Sequence, residues 1–251
     1  DRANAAEMLR NSTQIDIAIL EAAAHAKNIR GKAPKVFFAS SACVYNVPGK
    51  RFYTEADAYP ANCANEFAWQ KLYAERLYQA YARLYGLDAV TLHPGCFTGP
   101  GNLALEKQNW APWLVGAMVR GASFPVFGYG GKQVRDLLHV DDLARAVLAC
   151  VDWRWPTRQQ YEAWKVRPDR GDMSPILEGC HWGGRVFNVA GGPGRDVSIL
   201  EAVALIAEIT GRRGSLEHHP QREADWRWFV GDNAAITEAL GWKPEIGLRQ
   251  I

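Results

Sequence analysis

Two short β-rich runs on either side of one long amphipathic helix do most to limit what this chain can fold into. The runs are KVFFAS at 35–40 and LDAVTLH at 87–93, and the helix reads ANEFAWQKLYAERLYQAYARLYG, residues 64–86. Strands alternating with helices predict a parallel, doubly wound α/β sheet. The alternation extends in both directions. Apolar residues at helical spacing (Met8, Ile15, Ile19, Leu20) mark a helix over about 5–28. An apolar helix follows at 110–120, another at VDDLARAVLACV with Asp141 and Asp142 in its first turn, and RVFNVAG at 185–191 reads as a strand. Ser198 with Glu201 three positions on forms a capping box, and Asp232 or Asn233 caps a short last helix that ends at Gly241. The stretch PVFGYGGKQVRDLLHV at 125–140 reads as turn-rich.

Residues 153–184 break the pattern, being rich in Trp, Arg and Pro without clean periodicity. They are expected to form a long excursion that covers a binding site or contacts a partner.

Bulk properties narrow the function. A net charge of +2, from 29 basic and 27 acidic residues, argues against a general nucleic-acid binder. No apolar run reaches the length of a membrane span. Five scattered cysteines (Cys43, Cys63, Cys96, Cys150, Cys180) show no zinc-ligand spacing and fit a reducing, cytoplasmic compartment; no metal is expected. The chain starts without Met and in helical character, so a preceding segment is expected.

Chemistry concentrates at two places. Ser40, Ser41 and Cys43 stand where the first strand ends, and ligands of doubly wound sheets sit beyond the carboxyl ends of strands. A hydroxyl there can bond a substrate oxygen and a thiol can move a proton, although such residues also simply pack and cap turns. Phe67 and Lys71 are i and i+4, so they share a helix face. A tyrosine in place of Phe67 would be activated by the lysine; phenylalanine has no proton to exchange. Taken alone, Lys71 also reads as a solvated helix lysine.

The ordered set SSACVY, aromatic-x-x-x-Lys, LHPGCFTGPG, FGYGGKQVRDLLHVDDLARAV, VFNVAGG and READWRWFVGDNAAITEALGWKP resembles the extended short-chain dehydrogenase/reductase family, in its branch of nucleotide-sugar epimerases and dehydratases. The resemblance covers nearly the whole chain from Asn11 onward. SSACVY and EADAYPANCANEFAWQK look like GDP-mannose 3,5-epimerases; GCFTGP, GYGGKQVRD and the C-terminal tail look like CDP-paratose 2-epimerases.

The resemblance implies a Rossmann-like doubly wound sheet, lacking its first strands and Gly-rich loop, with a smaller C-terminal α/β substrate-binding part. Residues 1–105, with returns at about 133–152 and 185–192, would belong to the NAD-binding part. Residues 106–132, 153–184 and 193–251 would bind the nucleotide sugar. It implies NAD as cofactor, a GDP- or CDP-linked sugar as substrate and a homodimer. Tyr73, Leu77 and Tyr81, at helical spacing, would fit the dimer face or the core.

Residue by residue, Ser41 matches the hydroxyl that bonds the reacting sugar oxygen, and Cys43 the acid/base. Lys71 matches the nicotinamide-ribose lysine, and Phe67 stands at the family tyrosine. Ser40, His93 and Pro94 fall beside the cofactor. Cys96, Arg135, Arg222 and Asp225 fall on the substrate, the last two as a pair holding phosphate and ribose. Arg135 could alternatively pair with Asp136 or Asp142, and Arg222 with Glu223. The chain departs from the family at Phe67, at His93 where arginine is usual, and at Cys96 where asparagine is common. Dehydratases carry an Asp-Glu pair where this chain has Ala42-Cys43, which favours epimerisation. A 4,6-dehydratase or decarboxylase, or a binding scaffold without the catalytic phenol, are the alternatives.

Overall fold

The computed structural model describes residues 4–45, 50–103, 109–153, 166–167, 171–172, 185–222 and 225–251. The chain divides into two compact units, one of Asp1–Asn46, Glu55–His93 and Leu148–Phe187, the other of Val47–Thr54, Pro94–Val147 and Asn188–Ile251.

The first unit is built on β1 (Lys35–Ala39) and β3 (Asp88–Pro94), joined by α2 (Glu66–Tyr85). The two strands pair in parallel from Lys35↔Asp88 to Ala39↔Leu92, and β9 (Arg185–Val189) lies on the far side of β3. The sequence enforces the helix boundaries. Asn65 accepts the Ala68 N–H at 3.0 Å as N-cap, and Gly86 ends α2 at φ 63°, a conformation that favours glycine. Ala74, Tyr78 and Ala82 of α2 pack with Phe38 of β1, whose ring stacks on Tyr78 at 4.7 Å.

Helix α1 (Ala5–Arg30) forms where periodicity predicts, but the face it buries differs. Ile15 and Ile19 are exposed, and the buried residues are Asp16, Leu20, Ala23 and Ala24. Two alanines let α2 approach closely, and the acid finds partners on α2 that an isoleucine has no use for.

The expected excursion falls largely outside the described residues. Its flanks are described: the Trp153 ring has the Lys35 ammonium at 5.6 Å and the Arg185 guanidinium at 5.2 Å, and Lys35 also donates to Trp153 O at 2.6 Å. Lys35 and Asp88 begin β1 and β3 and pair at 3.1 Å. Both ends of the excursion are therefore held at the end of the sheet opposite Ser40 and His93, not beside them.

The second unit carries a sheet ordered β10-β6-β12-β2, formed by Asp196–Ser198, Val134–His139, Trp228–Gly231 and Phe52–Tyr53; β4 (Cys96–Thr98) also pairs with β6. The stretch expected to be turn-rich thus holds β6, together with the end of β5 (Ser123–Phe127) and a short 3-10 turn at Tyr129–Gly131. Pairing is parallel except for β10, which runs antiparallel to β6. Gly192 and Gly194, at φ 71° and 86°, turn the chain between β9 and β10. Helices α3 (Trp110–Arg120) and α5 (Ile199–Thr210) close a core around Leu114, Met118, Phe124 and Val197, beside β5 and its parallel partner β11 (Ser215–His219). The capping box on α5 is formed as expected.

Asp136 is the buried pin of this unit. Its Oδ2 accepts from Gly192 N at 2.8 Å and Gly231 N at 3.0 Å, while Oδ1 is buried with no hydrogen-bond partner among the described residues. Burial pushes this carboxyl up to about 6.

Candidate active site

In the first unit, the end of β1 gathers the residues singled out from the sequence. Ser40 N donates to Leu92 O at 2.9 Å, extending the β1–β3 ladder by one residue. The Ser40 side chain is buried, and its Oγ has no hydrogen-bond partner among the described residues. A buried hydroxyl left unpaired costs about 1–3 kcal/mol, so Ser40 is a donor suited to a ligand atom. Ser41 then caps a 3-10 turn, Ala42–Val44, with Oγ accepting from Cys43 N at 3.1 Å. Cys43 is half-buried and a free thiol.

Lys71 reaches this turn from α2. Its Nζ donates to Ala39 O at 2.9 Å, directly before Ser40 and Ser41. The ammonium lies 5.1 Å from the Phe38 ring and 5.7 Å from the Phe67 ring, so residues 67 and 71 meet as their spacing requires. Burial pulls the Lys71 pKa down, and the Asp16 carboxylate opposes that shift. The reading of Lys71 as a solvated lysine gives way to a half-buried amine at the strand end.

His93 is enclosed by protein partners. It is 1% exposed, with Nδ1 at 2.6 Å from Tyr45 Oη and Nε2 at 2.5 Å from Glu75 Oε2. Both ring nitrogens are used inside the protein. Tyr45 follows the Ser41–Cys43 turn and Glu75 follows Lys71 by four residues, so the histidine ties the two groups together. Sequence reasoning passed over Glu75, although its i+4 spacing from Lys71 placed it on the same face. Tyr73, considered as a face residue with Leu77 and Tyr81, is exposed, whereas Leu77 and Tyr81 pack on the core.

A second cluster lies in the other unit. Arg135 pairs with Asp225 at 2.7 Å, and neither Asp136 nor Asp142 takes that place; the same guanidinium lies 5.7 Å from the Trp226 ring. Tyr129 Oη donates to Asp225 O at 3.1 Å and receives a hydrogen bond from Gln221 at 2.7 Å. Arg222 stacks on Phe127, 3.5 Å from guanidinium carbon to ring centroid, and Phe127 stacks on His219 at 5.0 Å. Of the two residues expected to hold phosphate and ribose, Asp225 holds Arg135 and Arg222 covers an aromatic ring. Glu223 lies outside the described residues. Cys96 opens β4, paired with Leu137, and Pro94 closes β3.

Comparison with known proteins puts a family to this geometry. Residues 1–162 match the model of the NAD dependent epimerase/dehydratase family. The chain belongs to that family. A UDP-glucose 4-epimerase of Mycolicibacterium smegmatis is 27% identical over 90% of this chain and 62% of its own length. A CDP-paratose 2-epimerase of Salmonella typhi is 26% identical over 67% of this chain and 44% of its own. The chain thus spans less than two thirds of either relative. Among solved structures, MoeE5 in complex with UDP-glucose and NAD is 27% identical at a TM-score of 0.70, covering 92% of this chain and 64% of that one. The Thermotoga maritima UDP-glucose 4-epimerase with UDP-glucose is 24% identical at a TM-score of 0.73, covering 98% and 70%. The fold of this epimerase/dehydratase chain is therefore Rossmann-like, with parallel strands flanked by helices.

Proposed function

We propose that the protein carrying this chain is an NAD-dependent epimerase of a nucleoside-diphosphate sugar. The observation that carries this reading is Lys71 Nζ on Ala39 O, beside the unpaired Ser40 hydroxyl and the turn bearing Ser41 and Cys43. The first unit is the cofactor part and the second the nucleotide-sugar part. NAD, when bound, accepts hydride from the sugar and returns it.

The chain's own residues do the rest. Lys71 has donors beyond the one given to Ala39 for ribose hydroxyls, and Ser40 Oγ offers another. Ser41 holds the reacting sugar oxygen, and Cys43 Sγ moves the proton at the carbon that inverts. Arg135 and Arg222 suit a diphosphate, for which guanidinium forks are the preferred donors, and Asp225 suits a ribose. GDP- and CDP-linked sugars are the first candidates. UDP-linked sugars join them because MoeE5 is seen with UDP-glucose.

The exposed apolar residues Ile15 and Ile19 of α1 and Trp69 and Tyr73 of α2 support a homodimer. A cytoplasmic location rests on the free cysteines.

The test is turnover of a panel of GDP-, CDP- and UDP-sugars by the full-length protein, with product mass recorded. Epimerisation leaves mass unchanged and copurified NAD is expected; loss of water would mean a dehydratase instead. Phe67 favours a second reading, a nucleotide-binding scaffold without catalysis. That reading holds if NAD and nucleotide bind and neither wild type nor F67Y changes any sugar.

A further inference from the structure

We propose that Asp16 is a positioning residue for Lys71, fixing from helix α1 the charge and place of the lysine; this rests on the reading of Lys71 as the cofactor-ribose ligand. Asp16 occupies a slot that α1 otherwise fills with apolar residues, since Leu20, Ala23 and Ala24 continue the same buried stripe. It is 8% exposed. A buried carboxylate persists only when paired and hydrogen-bonded. Gln70 Nε2 donates to Oδ2 at 2.9 Å and Tyr78 Oη to Oδ1 at 3.4 Å. Gln70 is the residue directly before Lys71, so the acid grips α2 where the lysine side chain departs.

The two charges act on each other. Burial pulls the Lys71 pKa down and the field of Asp16 opposes part of that shift; burial pushes the Asp16 pKa up, and the Gln70 hydrogen bond and then Lys71 oppose part of that. Among the described residues, the groups facing the pair are Asp16 from α1; Gln70, Tyr78, the Phe67 ring and, four residues on from Lys71, Glu75, whose Oε2 is taken by His93, from α2; and the Phe38 ring and the Ala39 carbonyl from β1. A leucine at 16 would fill the slot with no desolvation cost, but Lys71 would then meet burial with no opposing charge. Asp16 thus extends to higher pH the range in which Lys71 remains an ammonium able to bind ribose hydroxyls.

The test compares wild type, D16N and D16L in the protein carrying this chain. Asparagine keeps the shape and, with the Gln70 amide turned, both hydrogen bonds; leucine keeps a filled slot if the asparagine variant fails to fold. Lys71 is titrated by NMR of 13C-methylated lysines, assigned with K71R, and NAD affinity is measured across the same pH range. In both variants the Lys71 midpoint is expected to move to lower pH. NAD affinity should fall about tenfold at pH values where only the wild-type lysine is charged, and stay unchanged below them. An unmoved midpoint in both variants overturns the proposal. A moved midpoint with level NAD affinity removes Lys71 from the cofactor site, and the positioning role with it. If wild type binds no NAD at all, the epimerase reading fails, while the titration alone still decides whether Asp16 governs Lys71.

Discussion

Glu75 holds the ring of His93: Nε2 of the histidine lies 2.5 Å from Oε2 of the glutamate, and both side chains are buried. Nδ1 of the same ring lies 2.6 Å from Tyr45 Oη, so both ring nitrogens have a partner and the chain of three is satisfied end to end. It braces the turn bearing Ser41 and Cys43 against the helix bearing Lys71.

Replacing Glu75 by alanine leaves a buried imidazole nitrogen of His93 without its partner. E75A should lower stability by about 1–3 kcal/mol, and E75Q, which keeps an acceptor, by clearly less. Urea denaturation midpoints measure both. Equal losses in the two variants would mean that the carboxylate oxygen is not what His93 needs.

Asp136 makes a pH prediction in the second unit. Its folded pKa, raised by burial to about 6, lies above the ordinary aspartate value. The native state therefore holds a proton that the unfolded chain releases near pH 4. The stabilisation is fully present below pH 4 and is lost as pH rises through about 6. Over that window the protein should lose roughly 2–3 kcal/mol through this group alone. Subtracting the stability profile of D136N from that of wild type isolates the contribution, and a flat difference between pH 4 and 7 would contradict it.

Arg135 is prepaired with Asp225, largely out of water. R135A should weaken binding of GDP, CDP or UDP by about tenfold to a hundredfold, read by calorimetry. R135K should recover only part of that loss, because an ammonium lacks the two-pronged geometry of a guanidinium. Running all three nucleotides also ranks the base preference.

Phe67 sets the rate prediction. F67Y places a phenol beside Lys71 and should raise the rate of sugar turnover by about a hundredfold to ten-thousandfold, the usual contribution of a positioned acid or base. The measurement is kcat with the substrate found in the panel. A gain of less than threefold would mean that another group already takes the proton of the sugar hydroxyl.

Much of the framework could be read from local pattern. Alternation placed β1, α2, β3 and the capped α5, because these segments obey a single period and carry their own caps. The strand β6 was hidden, because Arg135 and Asp136 interrupt its apolar run and its flanking glycines read as a turn. The two interrupting residues take separate roles: Arg135 faces Asp225, and Asp136 pins two glycine amides in the core.

By itself the sequence determined which residues share a face and which stand at strand ends. That was enough to bring Phe67 next to Lys71 and to put Ser40, Ser41 and Cys43 at the mouth of the sheet. Only the tertiary structure decided partners across elements. It turned Ile15 and Ile19 outward and Asp16 inward, gave Asp225 to Arg135 and Arg222 to Phe127, and enclosed His93 between Tyr45 and Glu75. The physical reason is that helical and strand periods specify direction around one axis. Hydrogen bonds and burial between elements depend on which neighbour arrives, and at what distance.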